Sequence, residues 1–155
     1  TLIDFSKPST EKRLYVFDMK HRRMLYSSVV SHGKNSGGNY ATSFSNEYGS
    51  YKSSLGFYLT ASTYQGKNGY SLVLDGLEKG INDRARERAI VVHGAAFAGP
   101  LGRIFGCPAL PTSVARPIID TIKGGSVMYI YAETPSYLAQ SSILNDSDVN
   151  VIVNQ

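Results

Sequence analysis

The dipeptide Asn68-Gly69 constrains this chain most, because two residues of this kind between apolar runs are a strong signal for a tight hairpin. Residues 55–64 precede it and residues 70–75 follow it, both rich in aromatic and β-branched side chains that suit a pleated, half-buried surface. A second hairpin is expected where residues 13–18 and 23–32 flank Lys20-His21-Arg22. Helical signals are few. Ser113 can cap a helix in which Val114, Ile118 and Ile122 recur on one face, and Thr134-Pro135 opens a last turn reaching Leu144. Asn82 can cap another short helix ahead of the run Ile90-Val91-Val92. Gly124 and Gly125 stop the first of these, and residues 126–132 return to a strand pattern. A mainly β, mainly antiparallel fold with two or three short helices follows.

With 155 residues, 42% hydrophobic and 18% charged, the chain fits one domain with a core large enough to fold without staples. Residues 1–12 are polar, contain Pro8 and read as an N-terminal arm or linker; residues 13–144 read as the domain and 145–155 as a C-terminal tail. Residues 34–54 hold Gly, Ser, Asn and Tyr with no sustained period. Loops this long in compact domains usually carry function, so the segment is expected over the mouth of a site. A net charge of +4 favours anionic surfaces such as wall polymers, but the basic residues are dispersed, which speaks against nucleic acid. No apolar run nears the length of a membrane span. A single cysteine rules out an intramolecular disulfide and leaves the redox compartment open.

Chemistry concentrates between Ile90 and Pro111. The apolar run delivers His93 at a strand end, where Gly94 lets the backbone turn, and Gly106 and Pro108 hold the chain on both sides of Cys107. A thiolate attacks carbonyls, and a neighbouring imidazolium lowers a thiol's pKa. Backbone N–H groups of Gly106 and Cys107 are placed to meet an oxyanion. Arg103, shortly before the cysteine, can fork onto a carboxylate, and His32-Gly33 repeats the pattern of His93-Gly94, which makes His32 a second candidate for contact with substrate. The same residues also read blandly, as a small buried thiol and a satisfied core histidine. His32, His93 and Cys107 lack the close-spaced ligand pairs of a zinc site, so neither a metal nor a cofactor is expected.

His93-Gly94, a gap, then Gly106-Cys107, with GLEKGINDRARERAIVVHG upstream and GCPA at the end, resembles the murein L,D-transpeptidase catalytic domain family. The similarity runs from about Arg13 to Leu144. Ile104 departs from the pattern, standing where the family usually carries serine or threonine, and so removes a hydroxyl near the thiol. The resemblance implies a β sandwich or barrel-like sheet. It also implies a monomeric, exported, periplasmic or wall-associated enzyme whose partners are peptidoglycan peptide stems and whose covalent inhibitors include carbapenems. In it Cys107 is the nucleophile and His93 the base, and the thioester passes to an amine. Transfer to water would make an L,D-carboxypeptidase, and loss of chemistry would leave a non-catalytic wall-binding domain.

Overall fold

The computed structural model describes residues 1–96, the backbone of 103–104, and residues 106–145. The Asn68-Gly69 turn joins β5 (Gly56–Gly66) to β6 (Gly69–Gly76), and β2 (Leu14–Asp18) pairs with β3 (Arg23–Ser28) as the second hairpin. Four further strands complete the main sheet: β1 (Leu2–Asp4), β7 (Val91–Ala95), β9 (Ala109–Pro111) and β10 (Val127–Tyr131). The strands lie in the order β3-β2-β1-β10-β5-β6-β7-β9, and a small second sheet pairs β4 (His32–Gly33) with β8 (Arg103–Ile104). The fold is mainly β as expected, though the sheet is mixed: β1 runs parallel to β10 and β7 parallel to β9.

Residues 1–12 are not an arm. Leu2–Asp4 sits inside the sheet between β2 and β10, with Ile3 and Phe5 in the core, because its short backbone supplies the edge both neighbours need. The expected helix after Asn82 is also absent. Residues 79–89 form successive turns, since the Asn82 side chain accepts from the Glu78 N–H at 2.9 Å and donates to the carbonyls of Leu55 and Phe57 instead of capping. From residue 146 onward the expected tail lies outside the described residues.

Helix α1 (Thr112–Ile122) packs on β7 and β9, burying Ala115, Ile118, Ile119 and Ile122. Each isoleucine removed from water contributes about 1.5–3 kcal/mol. Pro117 is the sixth residue of α1, in its second turn, and so removes the hydrogen bond an N–H there would make to the Ser113 carbonyl. Helix α2 (Pro135–Gln140) begins on its proline, as expected, and ends at Gln140, short of Leu144. Among the described residues no helix is long and apolar enough to cross a membrane.

Candidate active site

Cys107 follows Gly106, whose φ of +97° and whose closeness to the Lys52 carbonyl, 2.9 Å from where a Cβ would stand, exclude any side chain there. This turn lays the sulfur against the start of β7. The Val91 N–H donates to Sγ at 3.5 Å, and the thiol donates to the Ala89 carbonyl at 3.5 Å. Although Cys107 is only 7% exposed, it lines a cavity of about 340 Å³ with Tyr48, Tyr51, Lys67, Arg88 and Ala89. Tyr48, Gly49 and Tyr51 of the long segment 34–54 form one wall of this cavity. Backbone strain collects at the same place: Tyr51 and Ala89 are two non-glycine residues held at positive φ, +55° and +56°, and the twist at Ala89 accompanies the carbonyl that receives the thiol proton.

Arg88 is tied into that wall. Its guanidinium donates to the carbonyls of Ser45 and Lys52 and to the hydroxyls of Ser50 and Ser54, so it anchors the loop beside the thiol. Burial pushes the Cys107 thiol above its ordinary value of 9.0, and the Val91 N–H and the charges of Arg88 and Lys67 pull the other way without reversing it. The resting sulfur is thus a thiol. Alkylation by iodoacetamide, which follows the thiolate fraction of the free protein, should climb about tenfold per pH unit and keep climbing past about pH 9. A plateau below about pH 8 would mean that an imidazolium already holds the sulfur as thiolate, contrary to this geometry.

His93 makes no hydrogen bond to the thiol. In the β7–β9 register it stands beside Ala109, two residues beyond Cys107, an offset of roughly 6–7 Å along a strand. Its ring is 2% exposed; Nδ1 meets the Gly94 carbonyl at 2.9 Å, and Nε2 finds no hydrogen-bond partner among the described residues. Because a carbonyl can only accept, Nδ1 carries the proton and Nε2 is an acceptor that no described residue engages. Gly94 serves packing, since an added Cβ would lie 3.1 Å from the Ala115 methyl and press α1 off the sheet.

His32 lies elsewhere in the network. Its Nδ1 accepts from the buried Arg13 guanidinium at 2.8 Å, and its Nε2 donates to the Gly37 carbonyl at 3.1 Å, leaving a neutral ring wedged against Phe5. Burial pulls Arg13 down to about 10. What links His32 to the site is backbone: it pairs with Arg103, and Gly33 pairs with Ile104. The side chains of Arg103 and Ile104 lie outside the described residues, so their expected contacts do too. Among the described residues no cluster of His, Cys, Asp and Glu could hold a metal. Lys67 and Arg88 escaped the sequence reading. Lys67 sits in the strongest turn signal of the chain, but nothing in a turn motif tells which way its side chain reaches.

A family model of the L,D-transpeptidase catalytic domain matches residues 1–131. The chain belongs to that family. No curated protein sequence matches it. Solved L,D-transpeptidase structures do. One from Xylanimonas cellulosilytica DSM 15894 is 13% identical, with 84% of this chain and 58% of that one covered and a TM-score of 0.48. L,D-transpeptidase 1 of Mycobacterium tuberculosis is 14% identical over 84% and 60%, with a TM-score of 0.47. A structure of LdtMt1 in complex with imipenem is 13% identical over 84% and 58%, with a TM-score of 0.48. This L,D-transpeptidase-family chain spans about three fifths of the length of those solved chains.

Proposed function

We propose that this protein is an exported peptidoglycan L,D-transpeptidase working through a thioester at Cys107. The observation that carries the reading is a thiol lining a cavity flanked by Lys67 and Arg88, in a chain of this family. The sulfur leaves the Ala89 carbonyl and yields its proton to Nε2 of His93. The thiolate attacks the carbonyl between the third residue of a tetrapeptide stem and its terminal D-alanine, and the backbone N–H groups of Gly106 and Cys107 receive the oxyanion. Collapse breaks the C–N bond, the leaving amine takes the proton from His93, and a second stem's amine then displaces sulfur to make a cross-link. Lys67 supplies the positive charge that meets a stem carboxylate, a task the sequence suggested for Arg103.

A non-catalytic wall-binding domain is the second reading, favoured by the separation of His93 from the thiol and by the thiol's bond to Ala89. Mass spectrometry of tetrapeptide muropeptides incubated with the protein decides between them. Cross-linked dimers with release of D-alanine are expected; trimmed monomers would make the protein a carboxypeptidase, and unchanged stems would leave the binding domain.

A further inference from the structure

A second cavity, of about 330 Å³, shares the long segment 34–54 with the first and takes no part in the chemistry above. Residues 42–46 of the long segment line it, while Tyr48, Gly49 and Tyr51 of the same segment line the thiol cavity. One strap therefore serves both. It is fixed at the point where it passes between them: the Asn46 side chain donates to Asp83 at 2.8 Å and accepts from the Arg84 N–H at 3.1 Å, and Arg88 holds the Ser45 carbonyl at 2.9 Å.

Among the described residues, those that line the second cavity carry no charged side chain. Helix α2 presents Ser136 and Gln140, one turn apart on one face and exposed, with Thr134 just before them. Their side-chain hydroxyls and carboxamide bond to no other described residue. Opposite stand the apolar surfaces of Phe44, Leu55 and Ile81. A phosphate or carboxylate would find no charged lining side chain, only the Lys52 ammonium already engaged by the Ser43 hydroxyl at 2.7 Å, and a hydrocarbon would strand the polar rim without partners. A ligand with hydroxyl or acetamido groups on its edge and C–H groups on its face satisfies both, and the volume lies at the small end of the roughly 300–1,000 Å³ usual for ligand pockets.

We infer that this cavity binds a neutral sugar ring, the glycan unit that carries the peptide stem, while the stem itself reaches Cys107 across the strap. The inference rests on the peptidoglycan reading of the thiol site. It gives the enzyme two points of attachment on one glycopeptide, so that bare stems bind less tightly than stems still joined to sugar.

The test uses chitotriose, an uncharged N-acetylglucosamine trimer, titrated to about 10 mM into isotope-labelled protein and followed by amide chemical shifts. Shifts are expected at residues 42–46 and 134–140. Ser136→Trp, which fills the cavity from an exposed helix position, should remove them, and the milder Gln140→Ala should weaken binding about fivefold or more. No shifts in the wild type, or shifts that both variants leave intact, would overturn the sugar site. Carbapenem acylation of the wild type, read by mass on the same preparation, reports on Cys107 separately. Acylation without sugar shifts sinks this inference alone; sugar shifts without acylation keep it and sink the enzyme reading.

Discussion

A carbapenem incubated with the protein is expected to add its mass to the chain once, at Cys107, and Cys107→Ser is expected to stay unmodified under the same conditions. The strained lactam carbonyl imitates the acyl donor, and the sulfur lines an open cavity through which a small bicycle can reach it. A serine hydroxyl at that place has the oxygen but not the acidity, so with the same base at the same distance it yields far less of the attacking anion. Loss of a nucleophile costs on the order of a thousandfold or more in acylation rate, which on the time scale of an incubation is no adduct at all. The wild type remaining unmodified after prolonged exposure would remove Cys107 from the mechanism, and so would an adduct that persists in the serine variant.

The largest loss of stability is expected at Glu78. Its carboxylate is fully buried and accepts from the Phe57 N–H at 3.0 Å, the Tyr137 hydroxyl at 2.8 Å and the Ser141 hydroxyl at 2.5 Å, tying α2 and the residue after it to β5. Hydrogen bonds to a charged group contribute about 1.5–3 kcal/mol each, and removing the shared acceptor strands several buried donors together. Glu78→Ala should therefore cost about 3–5 kcal/mol by urea unfolding, and Glu78→Gln, which keeps one acceptor oxygen, clearly less. A loss under about 1 kcal/mol for the alanine variant would mean that water replaces the carboxylate without penalty and that the network is not what holds α2.

What could be read from the sequence was local. The hairpins at Asn68-Gly69 and at Lys20-His21-Arg22, the strand that carries His93 and the proline start of α2 each announce themselves within a few residues and are present, although β7 does not end at His93 but runs on through Gly94 to Ala95, paired with β9. Long-range partners were not readable. Leu2–Asp4 is too short for any period, and its strand character comes from the backbones of β2 and β10 on either side. Asn82 carries a good capping side chain, but the groups that claim it, from Leu55 to Glu78, meet it only in the folded chain. The thiol cavity shows the same division. Cys107 and the loop over it stand out as sequence, whereas Arg88 becomes the anchor of that loop only because residues 45–54 fold back onto it. His32 looked like a companion of His93, and its actual partner, Arg13, is a buried charge that no motif marks.

The place of Leu2–Asp4 between β2 and β10 bears on how the molecule assembles. Ile3 pairs with Ile130, so a strand at the start of the chain gains its second neighbour only when a segment close to residue 131 is available. Until then the Leu14–Asp18 hairpin can offer it one edge, while the other edge stays open to any extended segment nearby. Closing a loop of that length costs more entropy than closing any hairpin in the sheet, and folds dominated by such pairings form slowly. Synthesis of the chain therefore passes residue 131 before the sheet can close through its middle, and in that interval the half-paired Leu2–Asp4 strand keeps an edge open to pairing with another chain.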